Sequence, residues 1–361
     1  TRNRMIAVVI FAFFVIFFWM SFEQGASTLV IFARDFTNRT LTGSSALIFN
    51  IVNALLTIVP LSIITLVLIK LFKATRHKIF SSNIILAISF ALIWVMAIGI
   101  VYKDFTANSY KVEYASTAED GKTSTIEGNI STFQEFKAGD KIKIHTEAGS
   151  LVLLDKNSET KIEEVYKKEN KPSQIAEATI IDSNKNQAEI TTSWFSILNS
   201  FFIIALASLF SRLWDSKYNP PAAVKYGMGL IIMSIGFGVL AFGASVIPQG
   251  AEAGVVRVSM IWLVLAYLFH TMGELCLSPV GLSYVSKLVP GRMIAFMFGV
   301  WYLAIAIGQK LAASVGGMRE KISEEYSMSA FFLIFTIIPC VAGLLIISLT
   351  PFLRKLMGGV K

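Results

Sequence analysis

The chain has 361 residues, 54% of them apolar and only 16% charged, with Phe occurring 28 times. A soluble globular domain carries about a quarter charged residues, so this composition, with a mean hydropathy of +0.63, excludes an ordinary soluble enzyme or nucleic-acid-binding domain and describes a membrane protein. The formal charge of +8 is unevenly spread: residues 106–190 hold 15 of the 24 acids and 11 of the 32 Lys and Arg, a net of −4, which leaves +12 on the remainder.

The apolar blocks predict eight spanning helices, at 5–33, 47–72, 83–103, 193–214, 222–247, 255–277, 292–315 and 329–352. Each is near or above the roughly 20 residues needed to cross a bilayer core. The first is read as a span, since no small-residue cleavage site follows a short apolar segment. Its length allows a tilt, or a kink near Gly25. Basic residues cluster at the amino end (Arg2, Arg4) and after the second span (Lys70, Lys73, Arg76, Lys78). They recur after the fourth (Arg212, Lys217, Lys225), after the sixth (Lys287, Arg292) and at the carboxyl end (Arg354, Lys355, Lys361). With eight spans all five sites fall on one side, as a cytoplasmic side requires. The loops 34–46, 248–254 and 316–328 fall on the other side, and so does the segment 106–190.

That segment reads as short strands, KVEYAST, DKIKIHTE, SLVLLDK and EATIID, between Gly-, Asp- and Asn-rich turns. It predicts a small β-rich extracytoplasmic module, of a size that folds alone only marginally. The expected organisation is a first core helix with its outer loop (1–46), two inserted membrane helices (47–105), the module (106–190) and five further core helices (191–361). Cys276 and Cys340 both lie in apolar runs, so neither a disulfide framework nor a metal site is expected. The three histidines (His77, His145, His270) are scattered, and no nucleophile–base pair or phosphate loop accompanies them, so the chain is not read as an enzyme.

Ionisable groups inside a membrane are costly and tend to serve a cavity. Of the nine acids outside 106–190, seven (Asp35, Asp104, Asp215, Glu252, Glu320, Glu324, Glu325) sit at helix ends or in loops. Glu23 and Glu274 remain, deep in different spans. Glu23, in FFWMSFEQGAST, shares a helix face with Trp19 four residues before it. It fits a proton carrier that pairs with a cation on another helix, or a static ion pair. Glu274, in FHTMGELCLSPVGLS, precedes Pro279 and lies between Gly273 and Gly281, a pattern that predicts a broken helix beside a carboxylate. It fits a binder of a substrate ammonium group, or an incidental acid beside a gating kink. His270, four residues before Glu274, could tune that carboxylate, carry a proton, or bond a neighbouring helix. Asn199 suits either a substrate amide contact or helix–helix glue. Trp301 suits a pocket wall or simple packing, and Lys310 snorkelling or a gate.

Three strings carry a family resemblance. FFWMSFEQGASTL resembles the seventh helix of the proton-dependent oligopeptide transporters, and WFSILNSFFIIALASLFSRLWD resembles their eighth. GELCLSPVGLSYVSKLVPGRMIAFMFGVWYLAIAIGQKLA resembles their tenth and eleventh, the Gly–Glu–Leu–x–Leu–Ser–Pro–x–Gly–Leu string being the most specific. The resemblance covers 5–33 and about 193–352. It implies an all-α polytopic membrane protein: the carboxyl-terminal six-helix half of a major facilitator fold, with two extra membrane helices and the β-rich insert.

The resemblance also implies symport of di- and tripeptides with protons, without a cofactor, the proton gradient being the driving force. In that family the acid matching Glu23 couples protons, with His270 a candidate beside it here. The acid matching Glu274 holds the peptide amino terminus, and Asn199 matches an amide on the peptide backbone. Ser278, Trp301 and Trp19 match positions in or beside the pocket. Three departures stand out. Nothing matches the family's amino-terminal six helices, including the first-helix acid–acid–arginine motif and the fourth-helix lysine, so a missing half is an expected partner. The two extra helices and the module lie between the seventh and eighth helices. His270 and Lys310 are not part of the motif. A rival reading from another class is a membrane anchor that presents 106–190 to an unknown partner or ligand; a symporter of another small solute is the alternative within transport.

Overall fold

The computed structural model describes every residue except 1, 76, 118–122, 148–149, 170–174, 185–186, 218 and 359–361. It is mostly helical and divides into two units, Thr1–Arg39 with Thr191–Lys361, and Thr40–Ile190. Among the described residues, seven helices are long and apolar enough to cross a membrane, and a shorter apolar stretch, Ile261–Leu277, opens an eighth.

In the first unit, α1 (Arg2–Phe22) is followed by a 3-10 turn at Glu23–Gly25 and by α2 (Thr28–Phe36). The expected kink near Gly25 is thus an outright break, with α1 and α2 in series. Strand β1 (Thr37–Asn38) ends this part. The other part of the unit holds α6 (Thr192–Asp215), α7 (Ala222–Ala244), β9 (Val258–Ser259), α8 (Ile261–Leu288), α9 (Ile294–Gly316), α10 (Arg319–Glu325), α11 (Met328–Ser348) and α12 (Thr350–Met357). Between them in sequence, the second unit contributes β2 (Thr40–Thr42), α3 (Ser44–Thr75), α4 (Phe80–Thr106), β3 (Asn108–Thr117), β4 (Thr123–Thr132), β5 (Lys141–Glu147), β6 (Ser150–Leu153), α5 (Lys156–Glu169), β7 (Ile175–Asn184) and β8 (Gln187–Glu189).

Helix α7 packs on both α8 and α11, and α1 lies along α9. Glycines make these contacts close. A Cβ on Gly273 of α8 would come 2.7 Å from the Gly229 carbonyl oxygen of α7, and one on Gly343 of α11 would come 2.8 Å from the Gly227 carbonyl oxygen. A Cβ on Gly308 of α9 would come 2.7 Å from the Ile16 carbonyl oxygen of α1. Small residues let helix backbones meet where lipid supplies no hydrophobic drive. Gly273→Ala is therefore expected to destabilise the protein by about 1–3 kcal/mol, the cost of overpacking, read as a lower melting temperature in detergent.

Two expectations for α8 are corrected. It begins at Ile261, not 255, because Val258 and Ser259 pair in parallel with Thr37 and Asn38, and the chain before them turns at Gly254 with φ 84°. The helix also continues through Pro279 to Leu288 and is not broken there. Proline forfeits one backbone bond, a loss that neighbouring helices and local adjustment can absorb within a membrane bundle.

In the second unit, α3 and α4 form an apolar hairpin joined by polar contacts. Asn50 Nδ2 donates to the Asp104 carbonyl at 2.7 Å, Asn53 Nδ2 to the Asp104 carboxylate at 3.0 Å, and Trp94 Nε1 to Thr65 Oγ1 at 2.9 Å. Beyond the hairpin, five antiparallel strands run in the order β4-β3-β7-β5-β6. Their inward residues Tyr110, Val112, Ile130, Ile142, Ile144, Ala178 and Ile180 form one core. Of the four strand strings identified in the sequence, KVEYAST and EATIID fall within β3 and β7, while DKIKIHTE and SLVLLDK contain β5 and β6 and run past them, SLVLLDK as far as the first residue of α5. Strand β4 and helix α5 have no counterpart in that reading: β4 is Thr/Ser/Gly-rich, and α5 is mostly charged, with only Ile162, Val165 and Tyr166 as a short apolar face. Ile144→Ala, at a fully buried position, is expected to cost about 2–5 kcal/mol. Faster proteolysis confined to this unit is the check.

Candidate functional site

The site gathers where the first span breaks. Glu23, Gly25 and Ala26 at the break, Phe22 at the end of α1, Ser196 and Asn199 of α6, and Tyr267 and His270 of α8 line a cleft of about 130 Å³. The break itself frees the backbone: Tyr267 on α8 donates its phenol hydrogen to the Gly25 carbonyl at 2.5 Å. Gln24 is fully buried. Its Nε2 donates to the Ala312 carbonyl at 3.0 Å, and its Oε1 accepts from Thr28. Break, α8 and α9 are therefore tied by side chains that replace missing helical bonds.

Glu23 is half-buried and accepts a hydrogen bond from Gln309 Nε2 of α9 at 2.8 Å. Glu274 is half-buried and accepts from Asn199 Nδ2 at 3.3 Å. Neither carboxylate has an ion-pair partner among the described residues, so both are held by amides, each of which can bond either protonation state of a carboxyl. Asn199 Oδ1 in turn accepts from Thr271 Oγ1 at 2.6 Å. His270 is 2% exposed, and neither ring nitrogen has a hydrogen-bond partner among the described residues. Its ring lies 4.3 Å from that of Phe237.

The fold thus brings together Glu23, Asn199 and His270 around one cleft, with Glu274 joined to it through Asn199. The two tryptophans sit elsewhere. Trp19 meets Phe18 and Phe22 edge-on and lies on the α1 face that abuts Gly308. Trp301 is 5% exposed and packs edge-on against Tyr226, beside Gly281. Ser278 lies within α8, but its side chain is outside the described residues. Lys310 is exposed on α9.

Sequence reasoning missed Thr271, Tyr267 and Gln309. The first two were within reach, because Tyr267, Thr271 and Glu274 share a face of α8 at helical spacing; Gln309 carried no such signal. It also left Asp35 as a loop acid. Asp35 is 6% exposed, takes Arg34 Nε at 2.6 Å and Nη2 at 3.1 Å, and faces Arg319 Nη1 at 3.6 Å. Arg319 reaches on to Glu320 at 3.0 Å.

The sequence pattern of the POT family matches residues 173–333. The matched stretch contains Asn199, His270, Glu274, Ser278 and Trp301; Trp19 and Glu23 precede it. Among curated proteins the chain is 37% identical over 174 residues to the uncharacterized transporter YclF of Bacillus subtilis, covering 48% of this chain and 33% of that protein. It is 33% identical over 177 residues to the peptide transporter YePEPT of Yersinia enterocolitica, covering 48% and 34%. It is 31% identical over 174 residues to a di-/tripeptide transporter of Lactococcus lactis, covering 48% and 33%. The chain spans about a third of the length of the curated relatives it matches. A crystal structure of a peptide transporter POT in complex with sulfate is 32% identical, covering 47% of this chain and 33% of that one, with a TM-score of 0.40.

Proposed function

We propose that this chain is the carboxyl-terminal half of a proton-coupled symporter that imports di- and tripeptides by alternating access. It sits in the inner membrane of its cell, with residues 106–190 on the periplasmic or extracellular side. The observation that carries the reading is the pair of membrane carboxylates, Glu23 and Glu274, held by neutral amides, the second of them inside the stretch that matches the POT family. A carboxylate with no resident cation is free to take one. Glu274 takes the peptide ammonium group, and the Asn199 amide takes the peptide backbone. Trp19 and Trp301 lie away from the cleft at the helix break, and their place beside the peptide, like that of Ser278, rests on the family resemblance. Glu23 takes a proton from outside and gives up a pair with a cation of the amino-terminal half. The two halves then rock, and peptide and proton leave inward. His270 serves the same proton step, with no cofactor.

The test is uptake of a labelled dipeptide by the full-length protein in proteoliposomes with an inward proton gradient. Gradient-stimulated uptake is the expected result; a well-folded protein that takes up no di- or tripeptide overturns the reading. Glu23→Gln is expected to keep peptide counterflow while losing accumulation driven by pH, and concentrative uptake by that variant would remove Glu23 from the proton step.

A further inference from the structure

The hydrogen-bonded chain from Glu274 to Tyr267 has two complete arrangements, and a single hydroxyl decides between them. Thr271 is fully buried. Its Oγ1 lies 2.6 Å from Asn199 Oδ1 and 2.8 Å from the Tyr267 carbonyl oxygen, yet a hydroxyl has one proton to give. While Glu274 is ionised it can only accept, so Asn199 turns Nδ2 toward it and Oδ1 toward Thr271, which donates to that oxygen. Once Glu274 is protonated it can donate. Asn199 then turns over, accepts from Glu274 with Oδ1 and donates to Thr271 with Nδ2, and the Thr271 hydrogen swings to the Tyr267 carbonyl. The links between Glu274, Asn199 and Thr271 are kept in either state, so switching between them orphans none of the bonded atoms.

We propose that Thr271 is a positioning residue that makes the orientation of the Asn199 amide follow the charge on Glu274. Because Asn199 lines the cleft shared with Glu23, the face that a peptide backbone meets changes from one state to the other. The peptide is thereby read together with the proton inventory of the site. This rests on the transport reading above. The titratable groups lining the cleft are Glu23, Tyr267 and His270. The helices packed on α8 bring Arg2 and Arg4 (α1), Arg212 and Asp215 (α6), Lys225 (α7) and Lys310 (α9).

The experiment compares the full-length wild type with T271V, which keeps the shape and lacks the hydroxyl, and T271S, which restores it. Dipeptide counterflow is measured across an acid-to-neutral pH series. Wild type is expected to show a half-saturating dipeptide concentration that moves about tenfold over the series, the worth of one well-made hydrogen bond. In T271V that movement is expected to shrink to within about twofold while the maximal rate is kept, and T271S is expected to restore it. A T271V profile that tracks wild type overturns the proposal, as does equal impairment of T271V and T271S, which marks a packing role. A wild type that exchanges no dipeptide at any pH overturns the transport reading, and this proposal with it.

Discussion

Glu274→Gln is expected to abolish peptide uptake while the protein still folds. Its carboxylate is held by Asn199 Nδ2, and a glutamine carbonyl in the same place accepts that bond equally well. What the substitution removes is the charge. Losing one partner of a desolvated charge pair costs about 2–5 kcal/mol, a loss of peptide affinity of thirtyfold or more. Labelled dipeptide binding and gradient-driven uptake, each set beside the melting temperature in detergent, are the measurements. Normal uptake with an unchanged melting temperature would sink the assignment of the peptide amino terminus to this residue.

The largest stability effect is expected at Asp35. Arg319 is 9% exposed in its side chain and Asp35 7%, so Asp35→Ala leaves a guanidinium desolvated beside an unmatched Arg34. Removing one member of a buried ion pair costs about 3–5 kcal/mol, whereas replacing both with apolar residues of similar volume is often neutral. Asp35→Leu with Arg319→Met is therefore expected to melt closer to wild type than Asp35→Ala does. Additive losses from the two single changes would show that the groups do not act as a pair.

The spans were legible because a bilayer imposes length and apolarity on every crossing segment. The acids Glu23 and Glu274 were legible for the complementary reason, since charge inside such a segment is rare. What the sequence concealed was set by partners distant along the chain. Asp35 looked like a loop acid because nothing near it in sequence announces that Arg319 closes over it. Pro279 looked like a break because proline's missing hydrogen bond is a local fact, while its accommodation in a continuous helix is set by the surrounding bundle. The real break, at Glu23–Gly25, had only Gly25 to signal it. Thr271 and Tyr267 were overlooked beside a more conspicuous carboxylate, although they stand on its helix face. In the second unit β-branched strings marked four strands, but the Thr/Ser/Gly-rich edge strand β4 has the composition of a loop.

The break at Glu23–Gly25 also sets where the bundle can bend. Helix α1 runs chiefly along α9, with backbone against backbone at Gly308, while α2 makes its helix–helix contact chiefly with α6. The first span is thus two rods serving different neighbours, coupled by a joint of five residues, Glu23 to Ser27. Side-chain ties to α8 and α9 act on that joint from both sides. The glycine seams on α7 leave no side-chain layer in which slip could occur, so α7, α8 and α11 carry load as one stiff block. Any displacement of α1 and α9 against that block would bend the first span at this joint, and the joint begins with Glu23.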